Sequence, residues 1–234
     1  MRSVLRLVLL ISCLTFDCAA QIPADPPCWS NSDPQASSDK LERPTRTIRY
    51  SIQNAVFDRS DWRQAIEAAA ATWSAAGLPS RINFQLVGSA IVGPITSDTD
   101  IAKILNGNDN LIASGNNIRL AGNEGYLAIT FFRQRRIIGS RVAIGSTVTV
   151  IEENVENGWR FGQPSDFGYD LQSDMLHEFG HWLGLQNIGG QASTPAEFLT
   201  CFDKTIMWWG LPQGTPRRTL LGADFLGIAS IYPP

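Results

Sequence analysis

The stretch Asp170-Leu171-Gln172-Ser173-Asp174-Met175-Leu176-His177-Glu178-Phe179-Gly180-His181-Trp182-Leu183-Gly184-Leu185 decides how the rest of the chain is read. Leu171, Met175, Phe179 and Trp182 or Leu183 recur at helical spacing and mark one buried stripe. Asp170 stands where a helix is opened, and Gly184 where the chain can leave it, so a helix is expected from Asp170 through about Leu185. On that helix His177 and His181 are four apart. Their imidazoles project from one face, one turn above the other, and can share a tetrahedral metal, for which zinc is the natural guest. Glu178 follows the first histidine directly, which turns its carboxylate aside from the ligand pair and leaves it near the metal's open position, as a base for bound water and not as a ligand. An isolated histidine is most often a surface or packed residue. Here the chain has two histidines in all, and both fall in one HExxH unit on an amphipathic helix, which chance placement rarely produces.

Upstream, the alternation Ile48, Tyr50, Ile52 predicts a strand from Thr47. Ser60-Asp61 offers a cap for a helix carrying Trp62, Ile66, Ala69, Ala70 and Trp73, ended by Gly77 and Pro79. Ile82, Phe84 and Leu86 alternate as a second strand, and the order strand, helix, strand predicts parallel neighbours. Residues 93 to 125, rich in Gly, Asn and Asp, read as loops with short elements around Ile101 to Leu105 and Ile118 to Leu120. Tyr126 to Phe132 and Ile137 to Ile151 read as strands, with Val142, Ile144, Val148 and Val150 on a buried face. A last helix is expected over Gly222 to Tyr232.

The ends bound the domain organisation. Arg2 and Arg6 flank the start of an apolar run, Leu7 to Phe16, that leads into Cys18-Ala19-Ala20; this pattern predicts a signal peptide over residues 1–20, cleaved before Gln21. The run is shorter than the roughly 20 residues a membrane span needs. Lipidation of Cys18 is the weaker alternative, because Phe16 and Asp17 are not the small residues such processing favours. Residues 21–44, rich in Pro, Ser and Asp, read as an extended leader or short propeptide, and residues 45–234 as one catalytic domain. The formal charge of −3 becomes −4 once Arg2, Arg6 and Asp17 are removed, which speaks against nucleic-acid binding. The basic and aromatic stretch Phe131 to Arg136 is read as a solvated hairpin end. Of the cysteines, Cys28 and Cys201 remain after processing; a disulfide between them is expected, with Cys28 as a latency-conferring zinc ligand the sharper alternative.

The segment His177-Glu178-Phe179-Gly180-His181-Trp182-Leu183-Gly184-Leu185 resembles the extended zinc signature of the metzincins, and of their matrixin (matrix metalloproteinase) branch in particular. The resemblance extends over residues 45 to 232: the opening strand, helix and strand look like the matrixin start, Thr205-Ile206-Met207 sits where the family has its Met-turn, and Asp224, Gly227-Ile228 and Ile231-Tyr232 resemble its closing helix. It implies an α+β, metzincin-like (zincin) domain with a twisted mixed sheet, a zinc helix and a C-terminal helix. It implies a zinc endopeptidase with Glu178 as general base and with protein or peptide substrates aligned along the sheet edge near residues 126 to 151; the amino-terminal pattern adds secretion, and a monomer is expected. Trp208, Trp209, Gly210, Leu211 and Pro212 would then wall the pocket for the residue after the scissile bond, with an apolar side chain expected there.

At one position the chain departs from that pattern. Where metzincins supply a third histidine stands Asn187, and three ligand sets stay open: His177 and His181 with Asn187, with a carboxylate such as Glu197 or Asp203, or with no third protein ligand. The histidines of the second, structural zinc of many matrixins are also lacking. For calcium, Asp98, Asp100 and Asp109 match no loop motif and read as solvated charge. The rival function is a catalytically weak zinc-binding, peptide-recognition domain on the same scaffold; an adhesive surface protein explains none of the histidine placement.

Overall fold

Alternating side chains build the first strand as expected: in β1 (Thr47–Gln53), Ile48, Tyr50 and Ile52 are buried while Thr47 and Arg49 are exposed. The computed structural model describes residues 42–76, 81–107, 109–115, 126–136, 142–155, 158–160, 167–188 and 205–232. The residues expected as signal peptide and most of those expected as leader, Gly77 and Pro79, Ile118 to Leu120, Cys28, Cys201, Glu197 and Asp203 lie outside these residues.

A short helix α1 (Asn54–Phe57) leads into α2 (Ser60–Ala75), which buries Trp62, Ala65, Ile66, Ala69, Ala70 and Trp73. Ser60 is its first residue and not its cap; the cap position is Arg59, which makes no side-chain cap bond and instead lays its guanidinium over the Trp62 ring. β2 (Asn83–Ala90) pairs parallel to β1, as the strand-helix-strand order predicted. Helix α3 (Asp98–Asn106) and strand β3 (Asn110–Gly115) follow, then β4 (Ala128–Arg136) and β5 (Val142–Glu152). The sheet order is β2-β1-β3-β5-β4, parallel throughout except for β4, which runs antiparallel to β5 at the edge. The fold is α+β, as expected, and the described residues hold this five-stranded mixed sheet, a two-stranded pair β6 (Trp159–Arg160) and β7 (Tyr169–Asp170), α4 (Leu171–Trp182) and α5 (Gly222–Ile231).

β3 was not legible as a strand. It lies inside the sheet between β1 and β5, and Leu111, Ile112, Ala113 and Ser114 are all buried, so no alternation marks it. The basic stretch Phe132 to Arg135 is exposed on β4, as the solvated reading holds. Asp100 is part of a helix cap: its carboxylate accepts from the Ser97 hydroxyl at 2.9 Å while Ser97 Oγ accepts from the Asp100 N–H. No helix among the described residues is long and apolar enough to cross a membrane.

Helices α2 and α4 share one core with β1 and β2, while α3 packs on the other face through Ile101, Leu111, Val148 and Val150. The stripe foreseen on α4 is what anchors it: Leu171, Met175, Phe179, Trp182 and Leu183 are completely buried. Its C-terminus is held from residue 43. The buried Arg43 side chain donates from Nε to the Trp182 carbonyl at 2.9 Å, from Nη1 to Asn110 Oδ1 and the Gly145 carbonyl, and from Nη2 to Thr147 Oγ1 at 2.8 Å. Its own N–H reaches the Tyr232 hydroxyl at 2.9 Å. Burial lowers its pKa to about 10, so it remains a cation at neutral pH, aimed at the negative end of the α4 dipole.

Candidate metal centre

Helix α4 begins at an Asp170 cap, whose carboxylate accepts from the Ser173 N–H at 2.8 Å and the Ser173 hydroxyl at 2.6 Å. It ends at Trp182 rather than at Leu185. Gly184 takes φ 91°, and the bonds Leu185 N–H to Gly180 carbonyl and Gly184 N–H to His181 carbonyl, both 3.0 Å, close a Schellman motif. With the apolar stripe turned to the core, the opposite face brings His177, Glu178 and His181 to a cavity under β4, and one donor atom of each lies within 4.8 Å of the others.

The backbone decides the histidine tautomers. His177 Nδ1 lies 2.7 Å from the Ile206 carbonyl and His181 Nδ1 lies 2.8 Å from the Leu185 carbonyl. A carbonyl only accepts, so both Nδ1 atoms carry protons and both neutral rings present a bare lone pair at Nε2. Those two Nε2 atoms face each other at 3.1 Å with no proton to share. Two zinc–nitrogen bonds of about 2.0–2.1 Å at a tetrahedral angle would set them about 3.3–3.4 Å apart, so the donor pair fits such an ion. Desolvation, with the neighbouring His181, lowers the His177 pKa to about 3, so that lone pair is available at neutral pH.

The turn after the cavity completes the support. Met207 is buried, and a Cβ built on Gly180 would stand 2.3 Å from its sulfur, so the glycine inside the HExxH unit is the residue that lets Met207 close on the helix between the two histidines. The turn carrying Ile206 and Met207 is tied to the last helix through Asp224, whose Oδ2 accepts from Leu221 N–H at 2.8 Å and from Ile206 N–H at 3.5 Å. The turn carrying Ile206 and Met207 and the last helix thus reach His177 through one carbonyl.

Glu178 is 3% exposed, and burial raises its pKa against the opposing pull of His181 and Thr130. Its Oε2 accepts from the Thr130 hydroxyl on β4. Behind Thr130 stands Thr149 on β5, 2.6 Å away, which itself accepts from the donor-only indole Nε1 of Trp182 at 2.7 Å. With the indole as source, the hydrogens run Trp182 to Thr149 to Thr130 to Glu178, whose Oε2 is the final acceptor. Nothing in the sequence singles out Thr130 or Thr149, since the chain of bonds crosses three elements. Asp174 also lines the cavity, and here a signal existed: it lies three and four residues before His177 and Glu178, on the same helical face.

The cavity, of about 620 Å³, lies between β4 and residues 206 to 211. Trp208, Trp209, Gly210 and Leu211 line it as the sequence suggested, whereas Pro212 does not. Asn187 is exposed on the wall of the same cavity, beside His177. His177, Glu178 and His181 form the metal-capable cluster among the described residues; Asp98, Asp100 and Asp109 form none. No protein-family model matches the chain, and no curated protein matches it.

Proposed function

We propose that this chain is a secreted, zinc-dependent endopeptidase of metzincin, matrixin-like type. The observation that carries the reading is the pair of inward-facing, proton-free Nε2 atoms 3.1 Å apart beside the buried carboxylate of Glu178. Bound between them, zinc would supply the Lewis acidity that makes a water acidic near neutral pH and polarises a carbonyl. Glu178, whose pKa burial raises, takes the proton from the attacking water and passes it to the leaving amine. Asn187 is the proposed third protein contact, a neutral oxygen in place of an imidazole. Among the described residues β4 is the edge strand of the sheet, and its outer side runs along the cavity, where an extended peptide adds as a strand. Secretion rests on the amino-terminal pattern Arg2 to Ala20.

The test is cleavage of an unfolded protein by the purified chain, with and without a chelator and after zinc is restored. Chelator-sensitive cleavage recovered by zinc is the expected result. A zinc-loaded, folded protein that cleaves nothing would favour instead a peptide-recognition module, the reading that the weak donor Asn187 supports.

Thr130→Val breaks the relay to Glu178 while keeping shape. The expected outcome is a kcat lower by about tenfold, with zinc content unchanged, because a lost hydrogen bond to a charged group is worth about 1.5–3 kcal/mol in full and only part of it is felt in the transition state. An unaltered kcat would show that Glu178 needs no such hold.

A further inference from the structure

Asp174 is the buried acid for which the reaction above has no use. It is 7% exposed and lines the cavity, and its Oδ2 is buried with no hydrogen-bond partner. A carboxyl oxygen left unsatisfied in that way bears its full desolvation penalty, larger when charged, so it marks a place where something else completes the site. The neighbours are engaged elsewhere. Arg218 pairs with Asp170, and Ser173 Oγ donates to Asp170 while accepting from Arg217 N–H. The Arg217 guanidinium donates to the Gly210 carbonyl at 2.9 Å. The charges that act on Asp174 are those of Glu178 and Asp170, both negative, and with burial they raise its pKa well above the carboxylate range. Arg217 bears instead on His177. The cavity that Asp174 lines also carries the apolar side chains of Ile206, Trp208 and Leu211, beside Arg217.

An acid in a cavity that also carries apolar side chains is complementary to a long aliphatic stem with a donor at its tip. We propose that Asp174 is the specificity-determining residue of this cavity, selecting substrates with lysine or arginine directly after the scissile bond. The stem lies on the walls expected from Trp208 to Leu211, and the head meets Oδ2. A purely apolar residue would leave the acid unpaired, so the apolar expectation holds for the walls and not for the tip. The inference rests on the peptidase reading for the place of cleavage, though not for the binding of a cation.

The experiment therefore has two arms, both on the zinc-loaded full chain. In the first, peptides differing only in the residue after the cleaved bond are compared. Lysine and arginine peptides are expected to exceed the leucine peptide in kcat/KM by about tenfold or more, Asp174→Asn to remove most of that ratio, and Asp174→Leu to invert it. A wild-type preference for leucine, or a ratio unchanged in both variants, overturns the proposal. In the second arm n-butylguanidinium is added to the non-cleaving Glu178→Ala protein. It is expected to raise the melting temperature there and to have no effect once Asp174→Leu is added; an equal response in both proteins overturns the proposal. If no peptide is cleaved, the peptidase reading fails, and the second arm alone decides whether Asp174 binds a cation.

Discussion

Glu178→Ala is expected to lower kcat by about 100- to 10,000-fold, the usual contribution of a positioned general base, while zinc content stays at that of the parent protein. The two results belong together because Glu178 is the one member of the cluster argued to move a proton and not to hold the ion. Its Oε2 is committed to Thr130, which fixes the carboxylate against β4 and beside the imidazoles. Metal analysis alongside initial rates of peptide cleavage measures both. Loss of zinc together with activity would make Glu178 a ligand, and wild-type rates in a zinc-loaded variant would remove it from the chemistry altogether.

The second large effect lies more than one hundred residues away in sequence. Arg43→Ala removes a buried guanidinium and with it the bonds to the Trp182 and Gly145 carbonyls and to Thr147 Oγ1, while Asn110 Oδ1 keeps its bonds from the Thr147 N–H and hydroxyl. Breaking such a buried charged network costs about 3–5 kcal/mol. For a domain of this size that is a fall of roughly 6–20 °C in melting temperature, followed by circular dichroism. Arg43 also holds the end of the helix that carries both histidines, so zinc affinity should fall with it. Arg43→Lys keeps the charge but cannot reproduce the planar fork, and should recover only part of the loss. A change below about 1 kcal/mol would mean that water satisfies the abandoned acceptors and that the network is not what holds α4.

Neither residue is equally visible in the sequence. Glu178 announces itself through its place in HExxH, because helical geometry converts a spacing of four into a shared face whatever the rest of the fold does. Leu171, Met175, Phe179 and Trp182 are read for the same reason, and so are β1 and β2, each of which has faces of different polarity. Arg43 falls in a segment read as leader, and its socket is assembled from β3, β5, α4 and α5, elements that only folding brings together. β3 escaped because a strand buried on both faces has no alternation to display.

What the sequence determined by itself is therefore local: a helix opened by Asp170, though read through about Leu185 where it ends at Trp182, the common face of His177 and His181, and the glycine at which the chain leaves it. Tertiary structure decided the rest. The carbonyls of Ile206 and Leu185 set which nitrogen of each ring carries its proton, Thr130 on β4 holds Glu178, and the packing around α4 buries an Asp174 carboxyl oxygen without a partner. Spacing along a helix fixes which way a side chain points, but what it meets there depends on chain segments dozens of residues distant, whose approach no local pattern encodes.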